Sequence, residues 1–126
     1  MKIKFAGISI VTKDVPRLLA FYEAIFDGDS GGDEVHAALT ANGVGFTFAR
    51  VDVLCEMPSF HYVSADAAKN IIMNFDVEDV DSEYERLLSL GARILHKPVT
   101  HPWGARSFQF MDPDGNILNF RSVENS

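Results

Sequence analysis

Four histidines, a single cysteine and scattered hydroxyl, amide and carboxyl side chains are the groups in this 126-residue chain that could do chemistry. A site for zinc, iron or manganese needs three or four imidazole, thiolate or carboxylate donors converging on one point. The histidines are dispersed for that purpose: His36 falls in an alternating stretch, His61 in a mixed one, and His96 and His101 flank Pro98. Cys55 stands alone, which excludes an intrachain disulfide and a thiolate pair; beside Val53, Leu54 and Met57 it reads as packing. A hydroxyl nucleophile needs a base within hydrogen-bond reach, and the sequence places none beside Ser9 or Ser107. Asp76 lies near the end of an apolar stretch, where a carboxylate is either solvated or serves as a general base or counter-charge. Trp103 sits in a Pro-Trp-Gly run, where its indole could stack on a planar ligand or pack in a core or dimer interface. Arg106, just beyond it, could hold an anionic group.

Composition narrows the partners. With 47% hydrophobic residues the chain has material for one core, so residues 1–126 read as a single domain. The formal charge of −7, from 11 basic against 18 acidic residues, argues against nucleic acid and against an anionic membrane surface. No apolar run reaches signal-peptide length or the roughly 18 residues of a membrane span. A soluble, cytoplasmic protein is the expectation.

The elements that must position these residues follow from hydrophobic period. Residues 2–11 read as a strand, and Asp14 then caps a helix whose apolar face is Val15, Leu18, Leu19, Tyr22, Ile25 and Phe26. Pro16 suits the first turn, and Gly28 is placed to stop the helix. Residues 27–33 read as a loop or short irregular strand. A hairpin follows, residues 35–41 turning through Asn42-Gly43 into Val44, Phe46 and Phe48. Residues 52–70 read as a connection. The pattern then repeats: a strand over 71–77, Asp79 capping a helix with Val80, Tyr84, Leu87 and Leu88, Gly91 ending it, and a strand over 92–97. A second hairpin joins 105–111 to 116–121 through Asp112-Pro113-Asp114-Gly115. Aligning the two cap residues gives an offset of 79 − 14 = 65, which pairs Ile8 with Met73, Ile10 with Phe75, Val15 with Val80 and Ile25 with Leu90. The fold class expected is α+β, with two βαβββ modules at about 1–51 and 71–126.

Three segments carry a family likeness: Thr12-Lys13-Asp14-Val15 before Phe21 and Tyr22, Asp76-Val77-Glu78-Asp79-Val80 before Tyr84, and Pro102-Trp103-Gly104-Ala105-Arg106 leading into Asp112-Pro113-Asp114-Gly115-Asn116. In this order they resemble the vicinal oxygen chelate superfamily, which includes glyoxalase I, bleomycin-resistance proteins and extradiol dioxygenases. The resemblance implies a curved mixed sheet with helices on the convex side, a concave cup for a metal or ligand, and a homodimer. Two-residue alternation then selects the cup side. Apolar Ile8 and Ile10 belong to the core, which sends Gly7, Ser9 and Val11 to the cup. Likewise Met73, Phe75 and Val77 leave Ile72, Asn74 and Asp76 facing it. A glycine-bulged turn after Asp112 sets Phe108 beside Phe120 and puts Ser107, Gln109, Asn119 and Arg121 on the concave side. The first hairpin contributes His36 and Thr47, with Leu39 beside Phe46 on the far face.

In the metal enzymes that this chain resembles, ligands come from the first and last strands of each module. The matching positions here are Gly7, Ile72 and Asn119, with the fourth near Thr47. None offers imidazole, thiolate or carboxylate. The expected function is therefore a metal-independent binder of a small organic molecule, similar to the antibiotic-binding resistance proteins, with no cofactor. The alternative is a glyoxalase-like lyase, isomerase or dioxygenase with a displaced metal or a metal-free mechanism.

Overall fold

The computed structural model describes residues 2, 5–41, 43–66 and 70–123. The chain divides into two compact units, Met1–Ala67 and Ala68–Ser126. Positions 3, 4 and 42, on which the first strand and the Asn42-Gly43 turn were expected to draw, lie outside the described residues.

In the first unit, β1 (Ile8–Thr12) leads through α1 (Val15–Ile25) to β2 (Asp29–Gly32), β3 (His36–Ala41) and β4 (Val44–Arg50). Asp14 caps α1 by accepting from the Arg17 amide at 3.2 Å, which satisfies one of the helix's orphan donors. Val15, Leu18, Tyr22 and Ile25 then share the buried side of the helix, at the three- and four-residue spacing of one face. That stripe lies on β3 and β4, where the Tyr22 ring is 5.2 Å from both Phe46 and Phe48. The described strands order as β1-β4-β3-β2, with β1 parallel to β4 and the other pairs antiparallel. Leu39 pairs with Phe46 as the hairpin requires.

β1 starts at Ile8, with residues 5–7 outside it, and of the two alternatives for 27–33 the strand is found. Residues 29–32 are a true edge strand paired to β3, because backbone pairing asks little of small side chains. Gly28 does not stop α1, whose cap is Phe26 in an extended conformation. Its role is close approach: a Cβ at Gly28 would collide with the Thr40 carbonyl oxygen. Beyond β4, the connection holds a one-turn helix α2 (Val51–Leu54) and a 3-10 turn at Pro58–Phe60.

The second unit repeats this order. β5 (Ile72–Asp76) passes through α3 (Val80–Ser89) to β6 (Arg93–Ile94), β7 (Val99–Thr100), β8 (Ala105–Met111) and β9 (Ile117–Val123). Its strands run β5-β9-β8-β6, with β7 also on β8, and again the first and last strands are parallel. Asp79 caps α3 through the Ser82 amide and hydroxyl, and these bonds hold its carboxyl below the ordinary carboxylate range. At the other end the amides of Gly91 and Ala92 return to the carbonyls of Leu88 and Leu87, closing the helix as expected. The strand expected over 92–97 is reduced to β6, and β7 follows beyond its expected end. Between the pairs Ile94 with Phe110 and Val99 with Ser107, one side spends 99 − 94 = 5 steps and the other 110 − 107 = 3. The surplus loops out ahead of Pro98, which has no amide hydrogen to give the ladder. Buried Asp112 anchors the second hairpin, accepting from the amides of Asp114 and Asn116 at 2.9 Å each and from Asn116 Nδ2 at 2.7 Å. Phe108, Phe110, Leu118 and Phe120 form the buried face, with Tyr84 of α3 edge-on to Phe108.

Replacing Phe108 with Ala should cost about 3–5 kcal/mol, because the ring is fully buried and leaves a cavity. Ile72→Ala, at a position 47% exposed, should cost far less. Denaturant titration reads both, and the reverse ranking would mean that the two faces of β5, β8 and β9 are exchanged. Asp79→Ala should lower the thermal midpoint at neutral pH. A depressed carboxyl stabilises above its unfolded value and loses that contribution as pH falls through its folded one. The gap between variant and parent should therefore close in acid; a gap that stays constant would contradict the charged cap.

Candidate functional site

Pairing across β5, β9 and β8 sets out the face opposite α3 in rows. One row is apolar: Ile72, Ile117 and Met111. The next is made of amides: Asn74, Asn119 and Gln109. The third runs Asp76, Arg121, Ser107. Residues paired in register point to the same side of a sheet, so Ile72, Asn74, Asp76, Gln109 and Asn119 of the expected site are brought onto one face. In the first unit the corresponding rows are Gly7 near Gly45, then Ser9, Thr47 and Ala38, then Val11, Ala49 and His36. Ser9 and Thr47 share a hydrogen bond of 2.5 Å, and at the equivalent place Asn119 Nδ2 donates to Asn74 Oδ1 at 2.9 Å. The two units thus carry a bonded neutral polar pair at the same rung.

The family's metal positions do not fit a transition metal here. Gly7 has φ +147°, and a Cβ there would lie 2.6 Å from the Gly45 carbonyl oxygen, so the backbone leaves no room for a ligating side chain. Ile72 is alkyl, and the Asn119 amide nitrogen is committed to Asn74. Asn119 Oδ1 is buried and accepts no hydrogen bond among the described residues. An unpaired buried acceptor costs about 1–3 kcal/mol, which favours an incoming N–H or O–H donor over leaving the atom bare. Among the described residues no three His, Cys, Asp or Glu side chains gather into a metal-holding group.

Arg106 is not on this face. It shares the parity of Phe108 and Phe110, and its guanidinium is bound to Asp81 of α3 through Nε at 3.0 Å and Nη2 at 2.7 Å, with Nη1 on Thr100. The pair holds Asp81 below and Arg106 above their ordinary values, the hydrogen bonds between them being the main cause. Alternation along β8 is the reason, since Ser107 and Arg106 must point to opposite sides. The cation on the open face is Arg121, whose Nε bonds Asp76 Oδ1 at 2.8 Å.

A contact invisible to the sequence reading joins Ser107 to a base. The turn of residues 101–104 connects β7 to β8, closed by the His101 amide on the Ala105 carbonyl at 2.8 Å. His101 Nε2 thereby reaches Ser107 Oγ at 3.0 Å. Trp103 lies parallel on the His101 ring, centroids 4.5 Å apart and planes within 1°, while remaining 75% exposed. The signal was the Pro102-Trp103-Gly104 turn flanked by two extended segments, which implies that residues on either side of it meet. His36, on β3, is exposed; Asp33 accepts from its amide.

Two units, the first βαβββ and the second with β6 and β7 both paired to β8 to give five strands, each with a helix on one face and a polar rung on the other, define a paired-module α+β protein. Residues 4–120 match the Glyoxalase/Bleomycin resistance protein/Dioxygenase superfamily, and the chain belongs to that family. A glyoxalase/bleomycin resistance protein/dioxygenase from Nocardioides is similar in structure, with TM-score 0.83 and 19% identity over 100% of this chain and 88% of that one. The fosfomycin resistance protein FosX from Listeria monocytogenes superposes with TM-score 0.76 and 19% identity, over 98% of this chain and 96% of that one. At such identities the likeness is one of fold. The protein YraH of Bacillus subtilis (strain 168) is 35% identical over 57 residues, and the match spans 44% of this chain and 44% of that relative.

If Ser107 anchors the turn through His101, then His101→Ala should free the indole. Acrylamide quenching of Trp103, the chain's one tryptophan, should rise; unchanged quenching would mean that the stack does not persist in solution.

Proposed function

We propose that this protein binds a small organic molecule without a metal ion, in the manner of the resistance members of its family, sequestering an antibiotic or metabolite. The observation that carries the reading is the state of the family's ligand positions. Gly7 is closed off by Gly45, Ile72 is alkyl, and Asn119 is bonded to Asn74. What the face opposite α3 offers instead is neutral hydrogen bonding from Asn74, Gln109 and Asn119 beside apolar Ile72 and Met111. Recognition by shape and a few placed polar groups is how such sites work. In the first unit Ser9, Val11, His36 and Thr47 supply the matching surface.

The same reading makes the protein a cytoplasmic homodimer that binds neither nucleic acid nor membrane. Its net charge of −7 supports the second part, and Cys55 alone calls for no oxidising compartment. No helix among the described residues is long and apolar enough to cross a membrane.

Protein purified without chelator should carry well under one equivalent of zinc, nickel, iron or manganese per chain, and its melting temperature should not respond to chelation. A bound ion stabilises the folded state by mass action. One equivalent of metal by elemental analysis, whose removal lowers the midpoint by several degrees, would sink the reading.

A further inference from the structure

A metal-independent binder still needs a ligand chemistry, and the third row of the second sheet narrows it. Asp76, Arg121 and Ser107 stand side by side on β5, β9 and β8. His101 extends the row through its bond to Ser107, and Trp103, stacked on His101, completes it as an exposed aromatic face. Arg121 uses only Nε on Asp76; among the described residues its Nη1 and Nη2 carry no hydrogen bond. The pair with Asp76 is open to water, with the side chains 44% and 75% exposed, so it yields readily to a competing anion. A planar guanidinium fork with both terminal nitrogens free matches a carboxylate.

We propose that this row binds a planar aromatic carboxylate of about two fused rings, with the acid on Arg121 and the ring against the His101–Trp103 pair. The proposal rests on the binder reading above and names its ligand class. Adjacent strands are about 4.8 Å apart, so Arg121 on β9 and the turn beyond β8 are separated by roughly 10 Å. A fused bicycle and its carboxylate, met by the long arginine stem, bridge that span. His101 is held by Ser107, so a ligand ring has less of that side chain's freedom to remove. Asp76 tempers the site and selects for an anion able to displace it.

The test uses the full chain, calorimetry, and the single indole N–H resonance that one tryptophan gives. The probes are 2-naphthoate, neutral 2-naphthamide and cyclohexanecarboxylate. Naphthoate should bind saturably and shift the indole resonance, with the amide about tenfold weaker for want of a charge-assisted bond. Cyclohexanecarboxylate should leave the resonance in place. Arg121→Gln, checked for folding by circular dichroism, should bring naphthoate down to the amide's level. Asp76→Asn should tighten naphthoate and leave the amide alone, a gain that misfolding cannot produce. Arg93→Gln, an exposed cation outside this row, should change nothing. Naphthoate affinity indifferent to Arg121→Gln and Asp76→Asn overturns the proposal. So does a neutral molecule that moves the indole resonance while no aromatic acid does, although that outcome leaves the binder reading standing. Stoichiometric metal removes the binder reading itself.

Discussion

Everything on the working faces depends on one parallel strand pair in each unit. β1 lies beside β4 and β5 beside β9, and parallel neighbours cannot be joined by a tight turn. In each unit the helix and a short antiparallel meander provide the crossover and bring the last strand back to the first. The register so set decides the side for every residue: Ile10 with Phe48 and Phe75 with Phe120 toward the helix, Ser9 with Thr47 and Asn74 with Asn119 away from it. A slip of one residue would bring Phe120 to the open face and Asn119 under the helix. The burial of Phe46, Phe48, Phe108 and Phe120 is what makes that slip costly.

The helices are held to this arrangement at their ends and along their length. Capping by Asp14 and Asp79 settles where each begins, and the return bonds at Gly91 settle where the second stops. Arg106 then ties α3 to β8 and to Thr100 of β7 in a single guanidinium. Its exposure limits what the ion pair adds to stability, but the forked geometry restricts how the helix can turn over the strands. An arginine whose type suggests anion binding is thereby engaged in the architecture, while Arg121 on the neighbouring strand pairs with Asp76 on the opposite face.

At the positions where the resemblance implies metal ligands, the backbone and the amides already meet each other. Where a ligating side chain would stand, the Gly7 and Gly45 backbones approach too closely to admit one. Where a carboxylate would stand, an amide pairs with another amide. Membership of the family fixes the fold, whereas what such a protein does is decided by the groups on its site.

Much of this was legible in the chain itself. Hydrophobic period located α1 and α3, and cap residues set their starts, because those signals are local; the one-turn α2 had no such signal. The alternation of Ile8 and Ile10, Met73 and Phe75, Phe108 and Phe110 assigned faces correctly, since burial of one side of a strand follows directly from period two. Repetition of the pattern announced two mixed sheets. What the sequence by itself could not determine was which side chains spend their bonds on each other. Arg106 meets Asp81 across 25 residues, Arg121 meets Asp76 across 45, and His101 reaches Ser107 only because a turn folds one strand onto the next. The role of Gly28 was hidden for the same reason, its neighbour being the Thr40 carbonyl of a later strand. Periodicity acts along the chain and assigns a face; partnership on that face is decided by strand order and register, which exist only once the chain has folded.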